Sequence, residues 1–184
     1  IKVTNIEEES QFLLENFFDW FFEIGYSELI FADRVILYEG DSERLYIRKL
    51  IKLPEFSALA DSYIAFIQVG GAYAHNYLPI LKMLKVKTLI ITDLDYNKDA
   101  MSMEEVKRED SKSTNATINY CYRLVHADRE KEYSPTIKEL YDFQVKGESV
   151  LYNGLVYLTF QDEKSTARTL EEAMLNKLLK VDVF

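Results

Sequence analysis

Hydrophobic positions along the chain fall into two kinds of pattern. Short, nearly continuous apolar runs read as strands: Arg34-Val-Ile-Leu-Tyr-Glu39, Tyr63-Ile-Ala-Phe-Ile-Gln-Val69, Lys87-Thr-Leu-Ile-Ile-Thr-Asp93 and, with a weaker pattern, Leu155-Val-Tyr-Leu-Thr-Phe160. Their β-branched and aromatic residues, with little alternation, predict strands buried on both faces. Between them lie helical patterns over Ser42–Lys52, Ala72–Leu84, about Thr114–Ala127 and Thr166–Leu179, the last with Leu170, Met174 and Leu178 on one side. Strand–helix alternation predicts an α/β domain with a parallel sheet of about four strands, flanked by helices and carrying a helical insertion. Ahead of it, Ile6 to about Gly25 places Leu13, Leu14, Phe17, Phe18, Phe21 and Phe22 at helical spacing among acids. That is an amphipathic helix whose aromatic face belongs to a core or to a joint with a neighbouring domain. The expected division is therefore 1–27, the joint, and 28–184, the α/β domain. Tyr96 to Ser113 has no apolar period and reads as an exposed loop, and the mixed-charge run Arg129–Glu132 before Pro135 reads as a solvated turn.

Composition narrows the setting. The chain has 184 residues, which is enough to bury a core, and a formal net charge of −9. Its most apolar stretch, Phe12 to Ile24, is broken by Glu15, Asp19 and Glu23, so no bilayer span or signal peptide is expected. The first residue is Ile1, consistent with a piece of a longer protein. The single cysteine, Cys121, cannot form an internal disulfide, which fits a reducing cytoplasm, and its neighbours Tyr120, Tyr122 and Leu124 mark it as packing. A protein that grips DNA alone carries a basic face. At −9, this chain needs bound cations or other parts to supply positive charge, or has another partner.

Candidate chemistry gathers where strands end, because open parallel sheets bind ligands at their carboxyl edge. Glu39 closes the first strand, Gly40 permits a sharp turn, Ser42 is a candidate N-cap, and Glu43 falls in the first helical turn, where the dipole favours a carboxylate. Glu39 ends a buried strand and needs a partner, whereas helix-end electrostatics alone accounts for Glu43. Asp93 and Asp95 end the third strand, and in extended backbone i and i+2 point to one side. Two such charges repel, and a divalent cation relieves them. Glu171 and Glu172, in the late helix, are candidates to complete the cluster, although paired Glu on helices are common. An all-oxygen set without His or Cys suits Mg²⁺ or Mn²⁺, and two such ions can clamp an in-line displacement at phosphorus.

Other readings compete. Asp93, Asp95, Asn97, Asp99 and Glu104 match positions of a calcium loop, but Lys98 stands where Gly is needed and a strand precedes it. Asp-x-Asp after a strand also resembles haloacid-dehalogenase-type phosphatases, a reading that leaves Glu39 unexplained. A scaffold that keeps its acids only for solubility is a third reading. His75 and His126 lack partners at metal spacing and read as structural or surface residues. Gly70-Gly71 is a turn without a Walker Lys. Asn115-Ala-Thr117 is a formal glycosylation sequon, without meaning in the cytoplasm.

Four segments, in order, carry a resemblance: Phe31-Ala-Asp-Arg-Val-Ile-Leu-Tyr-Glu-Gly-Asp-Ser-Glu43, Gln68-Val-Gly-Gly-Ala-Tyr-Ala74, Thr92-Asp-Leu-Asp-Tyr-Asn97 and Ala167-Arg-Thr-Leu-Glu-Glu-Ala173. Over about Glu28 to Asn176 the chain resembles the TOPRIM nuclease domain of OLD-family (overcoming lysogenization defect) ATP-dependent endonucleases. Its spacing is also similar to that of the nuclease subunit of Gabija anti-phage systems. The resemblance implies a TOPRIM fold and Mg²⁺- or Mn²⁺-dependent cutting of DNA, with Glu39, Asp93 and Asp95 as catalytic residues. It implies one metal held by Glu39, Glu43 and Asp93, and a second by Asp95 with Glu171 or Glu172. It further implies a homo-oligomer, an ATPase domain in cis that alone would bind ATP, and a helicase-like defence partner. This chain departs in two ways. It has no Walker motif, and the family's Lys beyond the acidic helix has no match, since Lys177 and Lys180 lie too close to that helix before the chain ends at Phe184. The C-terminal end of the domain is expected to be missing.

Overall fold

A computed structural model describes residues 28–59, 61–70, 72–96, 111–130, 132–164 and 167–179. The amphipathic segment Ile6–Gly25, Gly71 and most of the polar stretch after Tyr96 lie outside these residues.

The described chain runs α1 (Glu28–Phe31), β1 (Arg34–Tyr38), α2 (Asp41–Leu50), a 3₁₀ turn (Pro54–Leu59), β2 (Ile64–Gln68), a second 3₁₀ turn (Ala74–Tyr77), α3 (Leu78–Leu84), β3 (Lys87–Ile91), α4 (Ala116–Val125), α5 (Ile137–Val145), β4 (Val150–Leu151), β5 (Val156–Thr159) and α6 (Leu170–Leu179). The sheet order is β2-β1-β3-β5-β4. β1, β2, β3 and β5 are parallel, and β4 adds a two-residue antiparallel edge to β5. The α/β architecture expected from the sequence is present. The sheet has five strands rather than four, because β4 is too short to leave an apolar period and is turned back by Tyr152, Asn153 and Gly154 at positive φ.

Register explains the core. On one face Val35, Leu37, Ala65, Ile67, Ile90, Val156 and Leu158 are nearly solvent-free. They share a cluster with Leu78 and Leu81 of α3, Ile118 and Cys121 of α4, and Leu140 and Phe143 of α5. The other face holds a smaller cluster of Ile36, Tyr38 and Ile47 of α2, with Ile64, Phe66, Leu89 and Ile91 only partly buried against it. The even hydrophobicity of the strands therefore hides unequal burial of the two faces.

Several ends differ from the sequence reading. The helix after β1 begins at Asp41, with Gly40 rather than Ser42 as its N-cap. Gly40 is extended there (φ −134°, ψ 179°), so it is not needed for left-handed backbone. Its use is space: a Cβ at Gly40 would sit 3.1 Å from the Glu43 carboxylate. The stretch Ala72–Leu84 opens as a 3₁₀ turn before Pro79 lets α3 start. α5 lies within a region given no element, and its Thr136/Glu139 capping box was a readable start signal. Tyr96 and Ser113, the ends of the expected loop, are joined by a β-bridge.

Candidate metal centre

Strands β1 and β3 are neighbours in register, so the residues that follow them meet at one edge. The Glu39 carboxylate receives the Thr92 hydroxyl, the Asn115 Nδ2 at 3.1 Å and the Asp93 N–H at 3.4 Å. Asn115 does two jobs. Its Oδ1 caps α4 by accepting from Ile118 N–H at 3.1 Å, while Nδ2 also lies 2.7 Å from Thr92 Oγ1 and 2.9 Å from the Asp93 carbonyl. The helix N-terminus is thereby tied to both strand ends.

Asp93 is held as firmly. Its Oδ1 accepts from Gln161 Nε2 at 2.8 Å and from Leu170 N–H at 3.0 Å, the latter at the start of α6. Gln161 in turn accepts from Leu94 N–H at 2.7 Å. Burial, with the Glu39 and Glu43 charges, pushes the Asp93 carboxyl up to about 7 against the pull of those hydrogen bonds. Burial also raises Glu39, with Asp95 as a neighbouring like charge, and it raises Asp95 against the attraction of Arg168.

The carboxylates of Glu43, Asp93 and Glu171 lie within 4.8 Å of one another. Glu43 is almost wholly buried and its Oε2 accepts from Gly40 N–H at 2.9 Å. Glu171 comes from the first turn of α6, and hydrogen bonding to Ser42 holds its pKa below the usual carboxylate value. Glu172 is engaged elsewhere: its Oε2 accepts from Arg168 N–H at 2.8 Å and its own N–H donates to Thr169 Oγ1 at 3.3 Å. The Thr169 hydroxyl thus caps the helix start, while the Glu172 carboxylate reaches back one residue further, to the Arg168 N–H.

The grouping differs from the one the resemblance implied. Glu171 joins Glu43 and Asp93, while Glu39 stands beside this cluster within a hydrogen-bond network. Asp95 does not repeat Asp93 across an extended chain, because β3 ends at Ile91 and Asp95 has φ +37°. Leu94 between them is fully buried, its N–H shared between Gln161 and the Arg168 carbonyl. Sequence reasoning passed over Thr92, Asn115, Gln161 and Ser42, which orient the acids. Only a polar residue beside a strand or helix end marks them. Asn97, Asp99 and Glu104 of the calcium-loop reading lie outside the described residues.

Oxygen donors alone, converging with like charge, fit a hard divalent cation. Two comparisons bear on this edge. Residues 30–95 match the family model for the overcoming lysogenization defect protein-like TOPRIM domain. Over these residues the chain is similar to an OLD-like TOPRIM domain. It is also 28% identical over 159 residues to a protein of Bacillus cereus (strain HuB5-5) named Endonuclease GajA, a match covering 84% of this chain and 22% of that relative. The chain thus spans about a fifth of the length of the curated relative it matches. The OLD-like match takes in Glu39, Glu43, Asp93 and Asp95, whereas Glu171 lies outside it and is brought to the edge by α6. Among the described residues no helix is long and apolar enough to cross a membrane.

Proposed function

We propose that this TOPRIM domain is the catalytic part of a DNA endonuclease that hydrolyses phosphodiester bonds with Mg²⁺ or Mn²⁺. The observation that carries the reading is the convergence of the Glu43, Asp93 and Glu171 carboxylates. These three would hold one cation, and Glu39 with Asp95 would flank a second, with Asp93 between the two groups. When bound, such cations supply positive charge against the charge that develops at phosphorus. The chain's own residues fix the acids beforehand: Thr92 and Asn115 orient Glu39, while Gln161 and Leu170 N–H orient Asp93. Preset geometry of this kind avoids reorganisation during the reaction.

DNA is the substrate this reading requires, and the relative's name, an endonuclease, supports cleavage within a nucleic acid. With a chain of net charge −9, the remaining grip on DNA would come from bound cations, an oligomeric partner or other domains. The whole protein is proposed to be a cytoplasmic homo-oligomer with an ATPase in cis, acting in anti-phage defence beside a helicase-like partner. Residues 28–184 form the nuclease unit, and 1–27 join it to what precedes it. The phosphatase reading is not favoured, because it gives no role to Glu39 or to the Glu43 and Glu171 carboxylates that converge on Asp93.

The test is calorimetric titration of Mn²⁺ into the chain and into Asp93→Ala, with nicking of supercoiled DNA as the second readout. Metal binding and nicking that vanish together in the variant are expected. A folded wild-type chain that binds no metal overturns the reading and favours a scaffold.

A further inference from the structure

Beside the acidic edge, three rings that the metal chemistry leaves unused form a continuous run. Tyr73 and His75 have centroids 6.4 Å apart, and His75 lies stacked on Tyr120 at 5.1 Å with a 25° interplanar angle. Tyr73 is 60% exposed and Tyr120 38%, high values for aromatic side chains in a packed domain. The middle ring is fixed. Its Nδ1 and its backbone N–H both lie 3.2 Å from Thr117 Oγ1, and that buried hydroxyl donates to the Ala72 carbonyl at 2.8 Å. With its one proton given to Ala72, the Thr117 oxygen can only accept, so the His75 proton sits on Nδ1 and leaves Nε2 as an acceptor.

The run is mechanically joined to the site. Thr117 follows Asn115 by two residues in the same helix start, and Asn115 touches Glu39. Tyr120 lies five residues past Asn115, about 7.5 Å along the helix at 1.5 Å per residue. That is about two stacked-base steps of ~3.4 Å. Positive charge lies near: Arg123 is close enough to His75 to be felt by it, and Lys82 Nζ sits 5.2 Å from the Tyr152 ring, which Tyr120 neighbours in turn. Exposed flat rings beside cations are the elements by which proteins hold unpaired bases without reading sequence.

We infer that Tyr73, His75 and Tyr120 form a base-stacking platform that holds a single-stranded stretch of DNA as it leaves the acidic edge. The inference rests on the nuclease reading for its substrate, but its geometry is independent of the metal ligands. Bases stack on Tyr73 and against the open face of Tyr120, and the fixed His75 keeps the two apart at constant spacing. The platform is indifferent to base identity, because every base has a π-face.

The test uses the full chain and a short single-stranded oligonucleotide carrying 2-aminopurine at successive positions, with Ca²⁺ present. Stacking quenches the probe, so one or two positions should darken on binding. Tyr73→Ala and Tyr120→Ala should each weaken binding about 5- to 100-fold, while Tyr120→Phe and His75→Phe keep it. Mn²⁺-dependent hydrolysis of methyl p-nitrophenyl phosphate, which has no nucleobase, should be unchanged in the Ala variants and lost in Asp93→Ala. Wild-type binding by the Ala variants, or no quenching at any position in wild type, overturns the platform. Tyr120-dependent binding in a chain that hydrolyses no phosphodiester upholds the platform and overturns the nuclease reading alone.

Discussion

Replacing Asp93 by Asn should make the metal-free protein more stable. Asp93 is a carboxylate whose pKa is raised from 3.8 to about 7, first by burial and then by Glu39 and Glu43. A folded-state pKa above the unfolded one means that the folded chain holds a proton the unfolded chain has released. Stability from this group is therefore fully present below 3.8 and falls as pH rises through about 7. At ~1.36 kcal/mol per pH unit the gap bounds the loss near 4 kcal/mol. The group is only partly buried, and solvent screening reduces the figure to about 1–2 kcal/mol. Asn keeps an Oδ1 that can accept from Gln161 and Leu170, so the hydrogen bonds survive while the charge is removed. In a chain of this length a kilocalorie moves the melting temperature by about 2–4 °C. Thermal melts in EDTA at pH 8 should then place Asp93→Asn about 2–8 °C above wild type, and the two should converge near pH 4. Adding Mn²⁺ should reverse the order, because only wild type gains binding energy, about 2.7 kcal/mol at a hundredfold excess over Kd. An Asn variant no more stable than wild type in EDTA at pH 8 would refute the reasoning.

Other predictions follow from the same contacts. Glu171→Gln should abolish Mn²⁺ binding with little loss of stability. Glu172→Ala should keep Mn²⁺ binding but lose about 1 kcal/mol of helix-start stability, and calorimetry with urea unfolding separates the two. Asn115→Ala removes a helix cap and the donor shared by Glu39 and Thr92, and should cost about 2 kcal/mol in urea unfolding. Glu139 is pulled up by burial, but the Thr136 N–H, the Tyr133 and Thr136 hydroxyls and Arg129 together hold it below 4.5. Its contribution is present above 4.5 and lost as pH falls through the lower folded value, so acid unfolding should be shallower in Glu139→Gln below pH 4.5. Equal acid slopes in the two proteins would remove that account.

How much was legible depended on whether the information was local. The apolar runs at Val35, Ile67, Ile90 and Val156 identify strands, because burying a strand requires such residues consecutively. The order of helices between them allows few topologies other than a parallel sheet. Glu39, Glu43, Asp93 and Asp95 were recognisable as a site because strand ends in such sheets collect ligand-binding groups. Which acids share one point was not legible. That depends on α6 arriving from far along the chain, so that Leu170 N–H meets Asp93 and Glu171 meets Glu43. It depends also on a single left-handed residue, Asp95, that breaks the alternation extended backbone would have imposed. Asn115 was readable only as a polar residue at a helix start; its hold on Glu39 and Asp93 comes from that start being placed against two strand ends. The unequal burial of the sheet faces was equally hidden, because apolar residues look alike in sequence whether or not a helix covers them. Sequence by itself determined the elements, their order and the stock of carboxylates, all set by residues near one another in the chain. Only tertiary structure decided which carboxylates converge and which are spent on capping, because those choices are made by contacts between segments that the chain keeps far apart.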